Sequence, residues 1–297
     1  MTTAIDPRFQ RLTLLTGAET ARALAEKRVI VFGIGGVGSW CAEALVRSGI
    51  GSVDIVDSDT VCITNINRQV QATSRTVGLS KTETLKERLL EINPACKITA
   101  YGKVFSRETA GLFNIAGADY VIDAIDSLSH KLDLIEITQA AGTKIFSCMG
   151  MAQKLDPTRL KTADIWKTDG CPLARLVRQG LRKRGFTSHF TVIYSDELLP
   201  LHTEIGTACG SAQCLCPARN KDDPNAPVEW CSSKKVINGS AVTVTATAGM
   251  ILASLVIRDV YGQFERAERA AAVEAEQALR ISGTSNAVTP GKAGVHG

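Results

Sequence analysis

The chain has 297 residues, 44% of them hydrophobic, and a formal net charge of +4. It can bury a substantial core, as one large α/β domain or one domain with an appendage, and its charge alone is too small to establish a nucleic-acid partner. Nine cysteines behind a start (MTTAIDPRFQ) with neither a basic segment nor an apolar core argue against a secreted disulfide scaffold and for a reducing, cytoplasmic setting.

In chain order, residues 1–27 form an N-terminal segment with a helix predicted over 18–26. From 28 to 150 strands and helices alternate: strand 28–32, helix 37–48, strand 53–56, helix 81–92, strands 97–101 and 120–122, helix 129–141 and strand 144–147. This pattern predicts an α/β fold with a doubly wound, mostly parallel, Rossmann-like sheet that binds its ligand at the carboxyl ends of the strands.

The first strand ends in Gly33-x-Gly35-Gly36-x-Gly38. Glycines there permit a tight turn, let backbone amides approach a phosphate and let the next helix pack on the sheet. The phosphate then lies at the positive end of that helix. Asp57 and Asp59 close the second strand, where a carboxylate can accept hydrogen bonds from ribose hydroxyls. Taken alone, this loop reads as a nicotinamide or flavin site. The residues that follow change the reading. Thr64-Asn65-Ile66-Asn67-Arg68, Gly78-Leu79-Ser80-Lys81 and Asp123-Ala124-Ile125-Asp126-Ser127 place an arginine, a lysine and an acid around the phosphates. An enzyme that breaks ATP between its α- and β-phosphates needs such groups: Arg68 and Lys81 to neutralise charge, and Asp126 to hold Mg²⁺. The plainer alternatives are a solvated Lys81 and an Asp126 that caps a helix.

The segments GIGGVGS, DSDTVCITNINRQ, VGLSK and DAIDS resemble the adenylating fold of ubiquitin-activating enzymes and of the bacterial enzymes that activate the sulfur carriers of thiamin and molybdopterin synthesis. The series KLDPT, ADI, CPLAR and LRKRG, between residues 149 and 185, resembles one branch, the tRNA threonylcarbamoyladenosine dehydratases. The likeness runs from about residue 8 to residue 261. It implies ATP and Mg²⁺ as cofactors, a homodimer, and a tRNA substrate with a threonylcarbamoyl group on the adenosine beside the anticodon. It also implies a sulfur-transfer protein partner, and a role for Arg11 as an arginine finger reaching the neighbouring subunit's ATP. The nucleotide site it implies consists of Gly33, Gly35, Gly36, Gly38, Asp57, Asp59, Asn65, Asn67, Arg68, Lys81 and Ser127, with Asp126 on the metal. The rival within the superfamily is adenylation of the C-terminal glycine of a ubiquitin-like sulfur carrier.

Residues 151–262 are expected to complete the same fold. Between Lys154 and Arg184 there are nine Lys or Arg against three Asp, and Arg175, Arg178 and Arg182 share one helical face, suited to an RNA backbone or simply to solvent. A strand is predicted over 189–195. Cys209, Cys214, Cys216 and Cys231 lie in a polar stretch, 203–233, read as a mobile loop. They could hold a structural Zn²⁺, although paired CxxC knuckles are absent; Cys231 could be a reactive thiol, or all four could be idle. Residues 236–257 carry no charge, yet Val242, Val244 and Ala246 alternate with Thr243, Thr245 and Thr247. That period predicts a strand followed by a helix from about 248 to 261, as buried core or dimer interface rather than a membrane span. The segment 263–297 reads as a weakly amphipathic helix, 263–279, and a disordered tail from 281.

Overall fold

A computed structural model of the protein describes residues 6–200 and 238–284, with side chains described as far as residue 265. Two short helices, α1 (Gln10–Thr16) and α2 (Ala18–Glu26), precede the sheet. Then come β1 (Arg28–Phe32), α3 (Gly38–Arg47), β2 (Ser52–Val56), α4 (Lys81–Ile92), β3 (Lys97–Tyr101), β4 (Tyr120–Asp123), α5 (Leu128–Ala140) and β5 (Lys144–Cys148). β6 (Leu160–Asp164), α6 (Pro172–Lys183), β7 (Thr191–Ser195) and α7 (Val242–Thr284) complete the described chain.

The seven strands form one sheet in the order β3-β2-β1-β4-β5-β7-β6. Every pairing is parallel except that of β6 with β7. Chain order runs outward from β1 to β3 on one side and from β4 to β5 on the other, so β1 and β4 flank the switch point, where such sheets open a crevice at their carboxyl ends. β1 shows how both faces are covered. Val29 and Val31 face a core built with Cys41, Leu45 and Val46 of α3 and Leu85 and Leu89 of α4. Ile30 and Phe32 face a second core with Leu132 and Ile135 of α5 and Val177 and Leu181 of α6. A strand buried on both sides reads as an unbroken apolar run, as VIVF does.

The C-terminal expectation is corrected. Residues 242–247 are not a strand; α7 is one helix from Val242 to Thr284, unbroken at Gly262. The Val/Thr alternation mimics a strand, but Val244, Ala248, Leu252, Val256 and Val260 are buried four apart, with Thr245, Gly249 and Ala253 beside them, and therefore lie on one helical face. The threonines fit a helix because their hydroxyls bond back one turn: Thr245 to the Ala241 carbonyl at 3.2 Å and Thr247 to the Thr243 carbonyl at 2.6 Å. Gly249 makes the seat on α3 possible, since a Cβ there would lie 2.5 Å from the Val37 carbonyl oxygen. The stretch Val242–Glu265 is long and apolar enough to cross a membrane, yet its buried face belongs to the core against α3. Residues 281–284, expected in the tail, are helical, and the rest of the expected tail, 285–297, lies outside the described residues. The cysteine segment, with Cys209, Cys214, Cys216 and Cys231, lies outside the described residues.

Candidate active site

The crevice at the switch point is a cleft of about 940 Å³, at the upper end of the roughly 300–1,000 Å³ usual for small-molecule sites. Gly33, Gly35, Gly36, Asp57, Asp59, Asn65, Arg68, Lys81, Asp126 and Ser127 all line it. Gly33 leaves β1 with φ +80°, and a Cβ on it would meet the Ala124 carbonyl oxygen at 2.7 Å. Only glycine allows the β1 and β4 turns to approach so closely. Gly38 does not line the cleft. A Cβ there would be 1.9 Å from the Gly33 carbonyl oxygen, so this glycine lets α3 start directly beneath the turn. Ser39, in the first turn of α3, donates its hydroxyl to the Gly35 carbonyl at 2.7 Å. The loop is thereby fixed over a helix N-terminus, a position that attracts phosphate.

Asp57 holds the acidic side of the cleft. Its carboxylate accepts the amide of Ile34 at 3.0 Å and that of Asp59 at 2.9 Å, which ties the end of β2 to the glycine loop. Burial pushes this carboxyl above its ordinary value, and the charge of Lys81 opposes that rise. Lys81 is the first residue of α4, capped by Ser80. A short antiparallel contact brings it home: the Val61 amide bonds the Leu79 carbonyl, and the Lys81 amide bonds the Asp59 carbonyl at 3.1 Å. The ammonium then lies 2.7 Å from an Asp59 carboxylate oxygen and 3.8 Å from one of Asp57. Burial works to discharge it; the two carboxylates more than offset that, so its pKa is raised and it stays a cation. Lys81 is therefore a buried, paired charge and not a solvated helix residue.

Arg68 lies over the glycine loop. A Cβ on Gly36 would come within 3.2 Å of its Cγ. Its Nη1 donates to the Thr64 carbonyl at 2.7 Å and to the Asn67 side-chain oxygen at 3.0 Å, and its own carbonyl accepts the Trp40 indole N–H at 2.9 Å. The guanidinium is near enough to Lys81 for its charge to oppose protonation there. Asn65 lines the cleft, but its side-chain oxygen caps the turn by accepting the Cys62 amide at 3.0 Å. Asn67 is not brought into the cleft; it holds the Ser240 carbonyl at 2.8 Å, linking this segment to the approach to α7. Arg11 lies on the exposed surface of α1, also outside the cleft.

Asp126 lies in the loop between β4 and α5 with its side chain exposed at the cleft, and the helix cap is Ser127 rather than Asp126. Sequence reasoning missed what holds this loop. Asp123 accepts the Ile125 amide at 3.1 Å, and its other oxygen receives the Lys131 ammonium at 2.7 Å and the Ser147 hydroxyl at 2.5 Å. Lys131 also reaches the Cys148 carbonyl at 3.0 Å, and both ends of the ion pair are fully buried. The available signal was a lysine on the apolar face of α5, four positions before Ile135. The basic helix is also partly committed. Arg182 stacks on Trp166 with 5.3 Å between guanidinium and ring centroid, Arg178 donates to the Thr168 hydroxyl, and Arg184 pairs with Asp133 and Glu136.

Taken together, the glycine turn on a helix N-terminus, an acid at the end of β2 and two cations beside it define a class: nucleotide-binding α/β enzymes that act on the phosphate chain. The ThiF family model matches residues 9–285, and the chain belongs to the ThiF family. It is 44% identical over 189 residues to the tRNA threonylcarbamoyladenosine dehydratase of Bacillus subtilis (strain 168), covering 64% of this chain and 74% of that one. It is 33% identical over 271 residues to the enzyme of the same name from Escherichia coli (strain K12), covering 87% and 95%. The solved structure of E. coli tRNA N6-threonylcarbamoyladenosine dehydratase in complex with ATP is similar to it with a TM-score of 0.72 at 30% identity, over 89% of this chain and 99% of that chain. The AMP complex of that enzyme matches equally well.

Proposed function

We propose that the protein is an ATP-dependent dehydratase that closes the threonylcarbamoyl group of a tRNA adenosine into a ring, by way of an adenylated carboxylate. The observation that carries the reading is the convergence of Arg68, Lys81, Asp57 and Asp126 on one cleft beneath the glycine turn. The relatives' names and the ATP and AMP complexes of the similar structure support it.

The ribose lies against Asp57 and the phosphates lie along the glycine loop and the start of α3. The threonine carboxylate attacks the α-phosphate, an acyl–phosphate bond forms, and pyrophosphate leaves. Arg68 and Lys81 neutralise the negative charge that builds up on the phosphate oxygens. The carbamoyl nitrogen or oxygen then attacks the activated carbonyl within the same side chain. The ring closes, a proton is lost, and AMP departs with the former carboxylate oxygen. Substrate loses the elements of water, and a poor leaving group has been exchanged for a good one. Ring closure gains further from proximity.

Mg²⁺ would enter with the triphosphate. Among the described residues no group of three or more His, Cys, Asp or Glu stands ready for a metal. Asp57 and Asp59 of the cleft face the Lys81 ammonium, so Asp126 is the residue that would hold an ion taking most of its ligands from phosphates and water, neutralising phosphate charge. A homodimer with Arg11 crossing to the partner's nucleotide is supported by the neighbouring Leu14 and Leu15 on α1, which are 79% and 78% exposed. A cytoplasmic setting accords with the free thiols of Cys41, Cys62, Cys96, Cys148 and Cys171.

The test is mass analysis of tRNA nucleosides after incubation with the protein and ATP-Mg²⁺. The threonylcarbamoyl nucleoside loses the mass of one water if the reading is right. Exchange of labelled pyrophosphate into ATP that requires a Gly-Gly-ended protein, and not modified tRNA, would replace it with the sulfur-carrier reading.

A further inference from the structure

Lys154 follows β5, lines the same cleft as Arg68, Lys81 and Asp126, and is 5% exposed. Its ammonium donates to the Glu197 main-chain carbonyl at 2.6 Å, and the described residues bring no carboxylate into ion-pair contact with it. The contrast with Lys131 is direct: that buried ammonium has the Asp123 carboxylate at 2.7 Å. The Glu197 carboxylate is itself turned to the backbone, where one oxygen accepts the amides of Leu155 at 2.9 Å and Asp156 at 3.0 Å. An ammonium carries three donors, and a buried charge without an opposite charge is costly. Such a group is completed by an anion that enters the cleft.

The backbone beside it gives an independent sign. Gln153 has φ +57°, a left-handed conformation unusual outside glycine. It is held there by its amide, which donates to the Gly239 carbonyl at 2.9 Å, and it too lines the cleft. Strain of this kind concentrates where a binding group must be placed accurately.

The sheet order says which anion. Asp57 ends β2, whereas Lys154 follows β5, three strand positions away across β1 and β4. At about 4.8 Å per strand the end of β5 is roughly 14 Å from the end of β2 that carries the ribose acid. Lys154 therefore belongs to the end of the cleft that receives the second reactant. Its burial favours a carboxylate at the tip of a narrow side chain over an RNA backbone phosphate flanked by two sugars. Resting on the dehydratase reading, we infer that Lys154 binds the threonine carboxylate of the substrate and presents one of its oxygens to the α-phosphate, with Glu197 fixing the lysine through its carbonyl and the following turn through its carboxylate.

The experiment compares binding of threonylcarbamoylated tRNA with that of the same tRNA lacking the group, for wild type, Lys154→Met and Lys154→Gln. The glutamine keeps a donor for the Glu197 carbonyl and removes the charge. The ATP-induced rise in unfolding temperature, measured in parallel, reports an intact fold and nucleotide site. Loss of a charge-assisted bond predicts that the preference for modified tRNA falls about 10- to 100-fold while the ATP shift persists. If Lys154→Met fails to show the ATP shift, Lys154→Gln decides. A variant that keeps both the ATP shift and the full preference overturns the inference alone. A wild-type protein with neither preference nor dehydration overturns the dehydratase reading and this inference with it.

Discussion

Lys81→Met separates a structural lysine from one that acts on phosphate. The substitution keeps the length and apolar stem but removes the charge between Asp57 and Asp59. Breaking a buried ion pair costs about 3–5 kcal/mol. Here the Asp59 side chain is 43% exposed and can return to water, whereas that of Asp57 is only 12% exposed. The expected loss is therefore about 1–3 kcal/mol, less than the roughly 5–15 kcal/mol that holds a domain of ordinary stability together. The variant stays folded at 25 °C, so unfolding cannot account for a large loss of rate. Removing one preorganised donor from a developing phosphate charge costs about 10²–10³ in rate. Thermal unfolding and exchange of labelled pyrophosphate into ATP, with modified tRNA present, read the two effects separately. Exchange within about threefold of wild type, alongside a lowered melting temperature, would refute the role given to Lys81, since about 0.7 kcal/mol is too little for a donor in the transition state.

Asp126→Asn should raise the Mg²⁺ concentration needed for half-maximal exchange and leave thermal stability nearly unchanged, because the side chain is exposed at the cleft; an unchanged Mg²⁺ dependence would remove Asp126 from the metal. Gly38→Ala puts a Cβ 1.9 Å from a backbone oxygen that cannot retreat, so the ATP-induced thermal shift should vanish; a normal shift in this variant would show that the turn tolerates what its geometry forbids. Glu43 makes a pH prediction. Burial acts to raise its carboxyl, but the bonds from Arg88 and Arg47 prevail and hold it below its ordinary value of 4.5. With the folded value below the unfolded one, this stabilisation is complete above the ordinary value and is lost as the pH falls through the folded one. Glu43→Gln should thus lower the melting temperature at neutral pH and narrow its gap to wild type in strong acid. A gap that stays constant down to pH of about 2 would contradict the sign.

The nucleotide half of the fold was legible because its signals are local. VIVF before a glycine loop, and acids at the end of the next strand, owe their meaning to turn geometry and strand burial, which a short window contains. β6 was not foreseen because LKTAD is a partly exposed antiparallel edge strand with no apolar run. α7 was misread at its start because threonine and valine favour strands on average, while its helix is imposed by packing against α3 and by hydroxyls bonding back along the turn. Lys131 and Lys154 could not be told from surface lysines, since their meaning depends on Asp123 and Glu197, 8 and 43 positions away in sequence. The same holds for Asn67, whose place in the motif suggested a ligand and whose partner, the Ser240 carbonyl, lies 173 residues on.

Heavy-oxygen labelling of the threonine carboxylate tests the central chemistry most directly. If that carboxylate attacks the α-phosphate and the ring then closes at its carbonyl, each turnover delivers labelled oxygen to AMP, and pyrophosphate stays unlabelled. Label in inorganic phosphate with ADP as product, or in free water with unlabelled AMP, would contradict the account.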